Sequence, residues 1–178
     1  RTALAQREMK ALGLAGLLLT TEPEVRYFTG FYSLFWQSPT RPWFVFVPET
    51  GKPSAVIPEI GADLMRRTWI DDIRTWSAPC PTDDGLSLLV DLLKPFADQK
   101  AKIGVMKGHE SLLRMPLGDW ERLCAQLEDL HFQDVTKLVQ SLRMCKSEAK
   151  IEKLAHICKI GSDTFARVPE FARRYKPL

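Results

Sequence analysis

Leu17-Leu18-Leu19-Thr20-Thr21-Glu22-Pro23-Glu24-Val25-Arg26-Tyr27-Phe28-Thr29-Gly30-Phe31 is the stretch whose reading decides the fold. Its opening apolar run predicts a strand buried on both faces. Thr20 and Thr21 then offer hydroxyls where a helix N-cap would sit. Pro23 suits a first helical turn, because its missing N–H would be unpaired there anyway. Gly30 breaks the helical pattern, so the stretch reads as strand, short helix, glycine and aromatic loop.

Upstream, Thr2 to Leu12 is expected to form an amphipathic helix with Leu4, Ala11 and Leu12 on its inner face, stopped by Gly13 with Leu14 behind it. Downstream, no period is visible from Phe31 to Pro42. Trp43 to Val47 is an aromatic and β-branched strand, Pro48-Glu49-Thr50-Gly51 a turn, and Ser54 to Ile57 a second strand. The pair reads as a hairpin, so part of the sheet is antiparallel. Pro58 to Arg67 reads as a helix and Asp72 to Trp76 as a strand, with a loop from Ala78 to Asp84. Asp84 is placed to cap a helix carrying Leu86, Leu89, Val90 and Leu93, which Pro95 closes. Lys102 to Met106 is a strand, Glu110 to Asp129 is helical with room for a break near Pro116, and His131 to Val135 is a last strand. About six strands interleaved with helices predict an α/β domain with a mixed sheet.

From Ser147 the pattern becomes one long helix. Ile151, Leu154, Ala155, Cys158, Phe165 and Val168 recur at three- and four-residue intervals, Ser147 is placed to cap, and Pro169 to kink. The net charge of +3 is uneven: from Arg143 onward nine Lys or Arg stand against four Asp or Glu, a net of +5, which leaves −2 for the first 142 residues. A basic tail is one signature of nucleic-acid binding. A solvated helix whose acidic partners lie in a further segment explains it better, and no nucleic-acid partner is expected.

The 45% hydrophobic and 26% charged content is that of an ordinary globular protein. No run approaches the roughly 20 apolar residues that span a bilayer, and no apolar signal segment opens the chain, so no membrane partner is expected. Cys80, Cys124, Cys145 and Cys158 are far apart without a C-x-x-C pair, which reads as buried free thiols and points to the cytoplasm.

The chain shows little that carries chemistry. His109, His131 and His156 have no paired spacing, and Lys107-Gly108-His109 after a strand is neither a dinucleotide turn nor a phosphate loop. Asp71-Asp72 and Asp83-Asp84 each precede an element and read as caps. No serine sits in a nucleophile elbow. The unusual feature is the loop holding Phe31, Tyr32, Phe35 and Trp36, then Arg41. Either its aromatics fold back over the sheet, or they line a site or interface.

The stretch "LLLT…PEVRYFTGF" resembles the opening of the N-terminal domain of the creatinase, prolidase and aminopeptidase P family, the pita-bread metallohydrolases. A second stretch, Val139 to Leu154, is similar to that family's "LR-x-x-K-S-x-x-E-I" lead into a linker helix. Neither holds a catalytic group. The resemblance implies a mixed six-stranded sheet flanked by helices, with a ribonuclease H-like motif, over residues 1–143. Residues 144–178 would then be a linker helix to a catalytic domain absent from this chain. That domain would carry two divalent ions (manganese, cobalt or zinc) on two Asp, one His and two Glu, for an Xaa-Pro peptidase or a creatinase-like amidinohydrolase. No metal ligand and no catalytic residue is expected here. The resemblance also implies a homodimer in which the loop after Gly30 walls the neighbouring subunit's active site, with Tyr32, Trp36 and Arg41 the substrate-wall candidates by position. The alternative is a freestanding interaction or regulatory module of the same fold.

Overall fold

The computed structural model describes residues 1–38 and 41–172. Pro39 and Thr40 of the aromatic loop and residues 173–178 of the expected linker helix lie outside the described residues. The leucine run is strand β1 (Gly16–Leu19), between helices α1 (Thr2–Ala11) and α2 (Glu22–Thr29). After a 3₁₀ turn at Leu34–Gln37 come β2 (Phe44–Pro48), β3 (Ser54–Pro58), α3 (Ala62–Arg66), β4 (Asp72–Trp76) and α4 (Leu86–Ala97). β5 (Lys102–Val105), α5 (Leu117–Gln126), β6 (His131–Asp134) and α6 (Thr136–Met144) follow.

The six strands make one mixed sheet in the order β4-β3-β2-β1-β5-β6, as expected. β1 lies near its middle, antiparallel to β2 with Leu17 opposite Val47, and parallel to β5 with Leu17 opposite Gly104. β2 and β3 form the antiparallel hairpin, while β3–β4 and β5–β6 are parallel. Successive side chains point to opposite faces. Leu17, Leu19, Val45, Val47 and Ile57 accordingly face α1, α2 and α6 through Met9, Val25, Phe28 and Val139. Leu18, Phe44, Phe46, Val56 and Val105 face α4 and α5 through Leu89, Leu93, Leu123 and Leu127. All three leucines of β1 are at most 2% exposed, and burying each is worth roughly 1.5–3 kcal/mol. Tyr27 closes the first face by donating its hydroxyl to the Leu142 carbonyl at 2.8 Å.

Several local expectations give way to specific contacts. The buried face of α1 is Ala5 and Met9, while Leu4 and Leu12 are 39% and 46% exposed. The Pro58–Arg67 segment is a 3₁₀ turn followed by the short α3, and residues 110–116 are not helical, so α5 begins only after Pro116. Pro95 does not close α4, which runs on to Ala97. Leu92, Leu93 and Ala97 are all buried around it, and Phe96 packs edge-on against Phe46 at 4.9 Å. The N-cap position of α4 is Gly85, and the carboxylate that reaches its first turn is that of Asp83 rather than Asp84, accepting from the Ser87 N–H at 2.9 Å and from the Ser87 hydroxyl. Asp84 instead accepts from the Cys80 N–H.

Helices α7 (Glu148–Ala166) and α8 (Val168–Phe171) follow, broken at Arg167 with Pro169 in the first turn of α8. The chain divides after Leu142 into two units. Within the second, no residue of α7 is buried, and the Ser147 hydroxyl makes no cap bond. The apolar stripe is bare, with Ile151, Leu154, Ile157 and Phe165 between 52% and 80% exposed. The thiols are free but not buried: Cys145 and Cys158 are exposed, on or beside helices with open faces, and Cys80 and Cys124 half-buried. No helix among the described residues is long and apolar enough to cross a membrane.

Candidate functional site

β1 and β5 are parallel neighbours, yet the chain leaves β1 for α2 on one face and β5 for α5 on the other. In an open α/β sheet, such a reversal opens a crevice at the strands' carboxyl ends where ligands bind. Here the crevice is lined by Leu18, Leu19, Thr20, Thr21, Glu24, Met106 and Leu112 and is too narrow to admit water. The chain itself seals it. Thr20, expected as a helix cap, is 3% exposed and its hydroxyl accepts from the Arg114 N–H at 2.9 Å. The segment after β5 is moored again where the Gly108 N–H donates to the Thr136 hydroxyl at 3.0 Å and the Lys107 N–H to Asp134 at 3.2 Å. The Thr136 hydroxyl and N–H also donate to Asp134, and these bonds, the hydroxyl's foremost, hold the Asp134 carboxyl below its ordinary range.

Beside this closed crevice lies the aromatic loop. Gly30 ends α2 in the left-handed region at φ 80°, which a side chain would resist, and its N–H donates to the Arg26 carbonyl. The chain can then turn Phe31 straight inward, where its ring packs on Trp43 with centroids 5.4 Å apart. Trp36 joins the same stack at 5.5 Å from Trp43 and is 8% exposed. Ser33 accepts from the Phe35 N–H at 3.1 Å and fixes the 3₁₀ turn between them. The two readings of the loop therefore divide by residue: Phe31 and Trp36 fold back, while Tyr32, Leu34 and Phe35 are 51%, 68% and 42% exposed. The Arg26 guanidinium covers one face of the Tyr32 ring at 4.6 Å. Arg41 is half-buried, and its side chain makes no ion pair among the described residues.

Of the three wall candidates, Tyr32 is thus on the surface, Arg41 at its margin and Trp36 beneath. Leu34 and Arg114 were missed. Arg114 had one signal: it is the single charge in the apolar loop run Leu112-Leu113-Arg114-Met115-Pro116-Leu117. Its guanidinium lies 5.1 Å from the Trp36 ring and donates to the carbonyls of Arg41, at 2.6 Å, and Ser38. Burial pulls its pKa below the usual arginine value.

No three His, Cys, Asp or Glu side chains among the described residues come together as a metal-ligating group. The described residues do not fit a dinuclear centre. A profile of the creatinase/prolidase N-terminal domain matches residues 1–145. The chain belongs to the creatinase/prolidase N-terminal domain family. It is 26% identical over 165 residues to the uncharacterized peptidase YqhT of Bacillus subtilis, a match covering 91% of this chain and 40% of that protein. The prolidase of Thermococcus sibiricus superposes with a TM-score of 0.79 at 18% identity, over 96% of this chain and 43% of its own. For dipeptidase PepE of Mycobacterium ulcerans the score is 0.69 at 24% identity, over 96% and 43%. A proline dipeptidase chain from Streptococcus pneumoniae, at 0.65 and 18%, is covered over 98% of its own length by 82% of this chain. The chain spans about two fifths of the curated relative it matches.

Proposed function

We propose that residues 1–143 serve a dinuclear metal-dependent hydrolase, acting on an Xaa-Pro peptide or a related amide, as its non-catalytic N-terminal domain. In this reading, residues 144–178 lead as a linker helix into a domain carrying two divalent ions, manganese, cobalt or zinc. The enzyme is a cytoplasmic homodimer, and the loop after Gly30 forms a wall of the partner subunit's active site. The observation that carries the proposal is the division of that loop, in which two aromatics are locked into the core and hold Tyr32, Leu34 and Phe35 outward. Large, stiff apolar side chains held this way exclude water from whatever they face. Arg41 adds a planar fork suited to a carboxylate, and Trp36 backs the wall from beneath.

The test uses an enzyme containing this domain. Arg41→Ala is expected to raise KM tens-fold with kcat, metal content and melting temperature little changed, since a charged hydrogen bond is worth roughly 1.5–3 kcal/mol. An unchanged KM, or loss of folding, would make Arg41 a structural residue and remove it from the wall. Sedimentation should give a dimer; an active monomer would end the cross-subunit arrangement.

A further inference from the structure

The segment between β5 and α5 lies beside the aromatic loop, and one side chain joins them. Arg114 is tied to the end of β1 through its own N–H on the Thr20 hydroxyl at 2.9 Å. From that fixed point its guanidinium donates to the carbonyls of Ser38 and Arg41 and lies over the Trp36 ring. No carboxylate among the described residues comes within ion-pair distance of it. A half-buried arginine normally recovers its lost hydration from an acidic partner. Here, among the described residues, the recovery comes from loop carbonyls and an indole face. A guanidinium suits this task because its planar fork reaches two acceptors while its face stacks, which an ammonium cannot match.

We propose that Arg114 is the positioning residue of the aromatic loop: it straps the Trp36 ring and the Ser38 and Arg41 carbonyls to the carboxyl end of β1 and so fixes where Tyr32, Leu34 and Phe35 are presented. The contacts run in series. Asp134 and Thr136 hold the start of the connecting segment, Thr20 holds its far end, and Arg114 passes that position to the loop. Trp43 supports the loop from below through its stacking on Phe31 and Trp36, and Arg114 adds hydrogen bonds to the Ser38 and Arg41 carbonyls. The consequence for substrate rests on the wall reading above; the strap itself does not.

Amide hydrogen exchange on the 178-residue chain tests the strap, with Phe35 and Ser38 as probes because each N–H has an acceptor inside the loop, and Phe31, bonded back to the Thr29 hydroxyl of α2, as the reference at its entry. Arg114→Ala should speed exchange at Phe35 and Ser38 by about ten- to hundredfold, the value of a charged hydrogen bond, and leave β1 and β2 unchanged. Arg114→Lys keeps the aliphatic stem and the charge, so it should fold, yet recover only a minor part of the protection. Loop exchange at the wild-type rate in both variants overturns the proposal. So does acceleration shared equally by loop and strands in the lysine variant, which would make Arg114 a general stabiliser. In the enzyme containing this domain, Arg114→Ala should raise KM and spare kcat. A loosened loop with unchanged KM would leave the strap standing and sink the wall; a protected loop would do the reverse.

Discussion

Trp43 is the residue on which the loop's conformation turns, and Gly61 is what gives it room. A Cβ built on Gly61 would clash with the rim of the Trp43 indole, which also stacks with Phe31 and Trp36. Overpacking of this kind costs about 1–3 kcal/mol. Gly61→Ala should therefore lower the melting temperature by about 2–10 °C and loosen the loop more than the distant edge strand β6, as heteronuclear NMR would show. A second residue-scale prediction concerns acid. Hydrogen bonds from Thr136, Lys107 and Gly108 hold the Asp134 carboxyl below its ordinary value of 3.8. A depressed carboxylate contributes stability that is present above the unfolded value and disappears as pH falls through the folded one. Asp134→Asn should thus be less stable than wild type near neutral pH, by a small amount because the side chain is exposed. The difference should shrink below pH about 4 and vanish at lower pH. Urea melts at a series of pH values measure this, and a difference that does not shrink would assign the role to side-chain shape instead.

At the level of elements, α7 is the outlier. It is a 19-residue helix with none of its residues buried, and a helix without tertiary packing is marginal in water. Exchange should be fast from Glu148 to Ala166 and slow in β1, β2 and β5. Protection in α7 equal to that in the strands would mean that a surface, such as a second copy, covers its stripe in solution. The elements also show which signals a sequence carries. The six strands were legible because their periods are local: three leucines in a row, the aromatic run at Trp43, and the turn between β2 and β3. No local signal sets α6 apart, and Asp84 looks as able as Asp83 to reach the first turn of α4, since adjacent acids look alike until the turn at Gly85 orients one of them. Pro95 misled because a local rule met burial on both sides of it. The site was legible only in part. The loop's aromatic content was visible, but which rings turn inward depends on Trp43 and Gly61. Thr20 looked like a cap because its true partner, the Arg114 N–H, is 94 positions away, and no short-range pattern reports a contact of that span.

The first unit has two apolar core layers, one on each face of the sheet, built from its own side chains. The 178-residue chain should accordingly melt at the same temperature with and without a strong chelator, and should not cleave Xaa-Pro dipeptides in the presence of manganese, cobalt or zinc. A shift of many degrees, or turnover, would show that a metal-binding set assembles in this chain after all. Removing residues from Cys145 onward should leave the main transition within a few degrees of its place, because the core clusters end at Leu142. A collapse of the transition would mean that α7 carries structural weight.

The position of β1 in the sheet also has a meaning in time. The strand is made well before its parallel partner β5, which ends only at Val105. At 5–20 residues per second the interval is roughly 4–20 s. Throughout it the nascent polypeptide displays Leu17, Leu18 and Leu19 with one strand edge unpaired. Translation that stalls before Lys102 leaves that edge open for good, so the released fragment should be found in inclusion bodies.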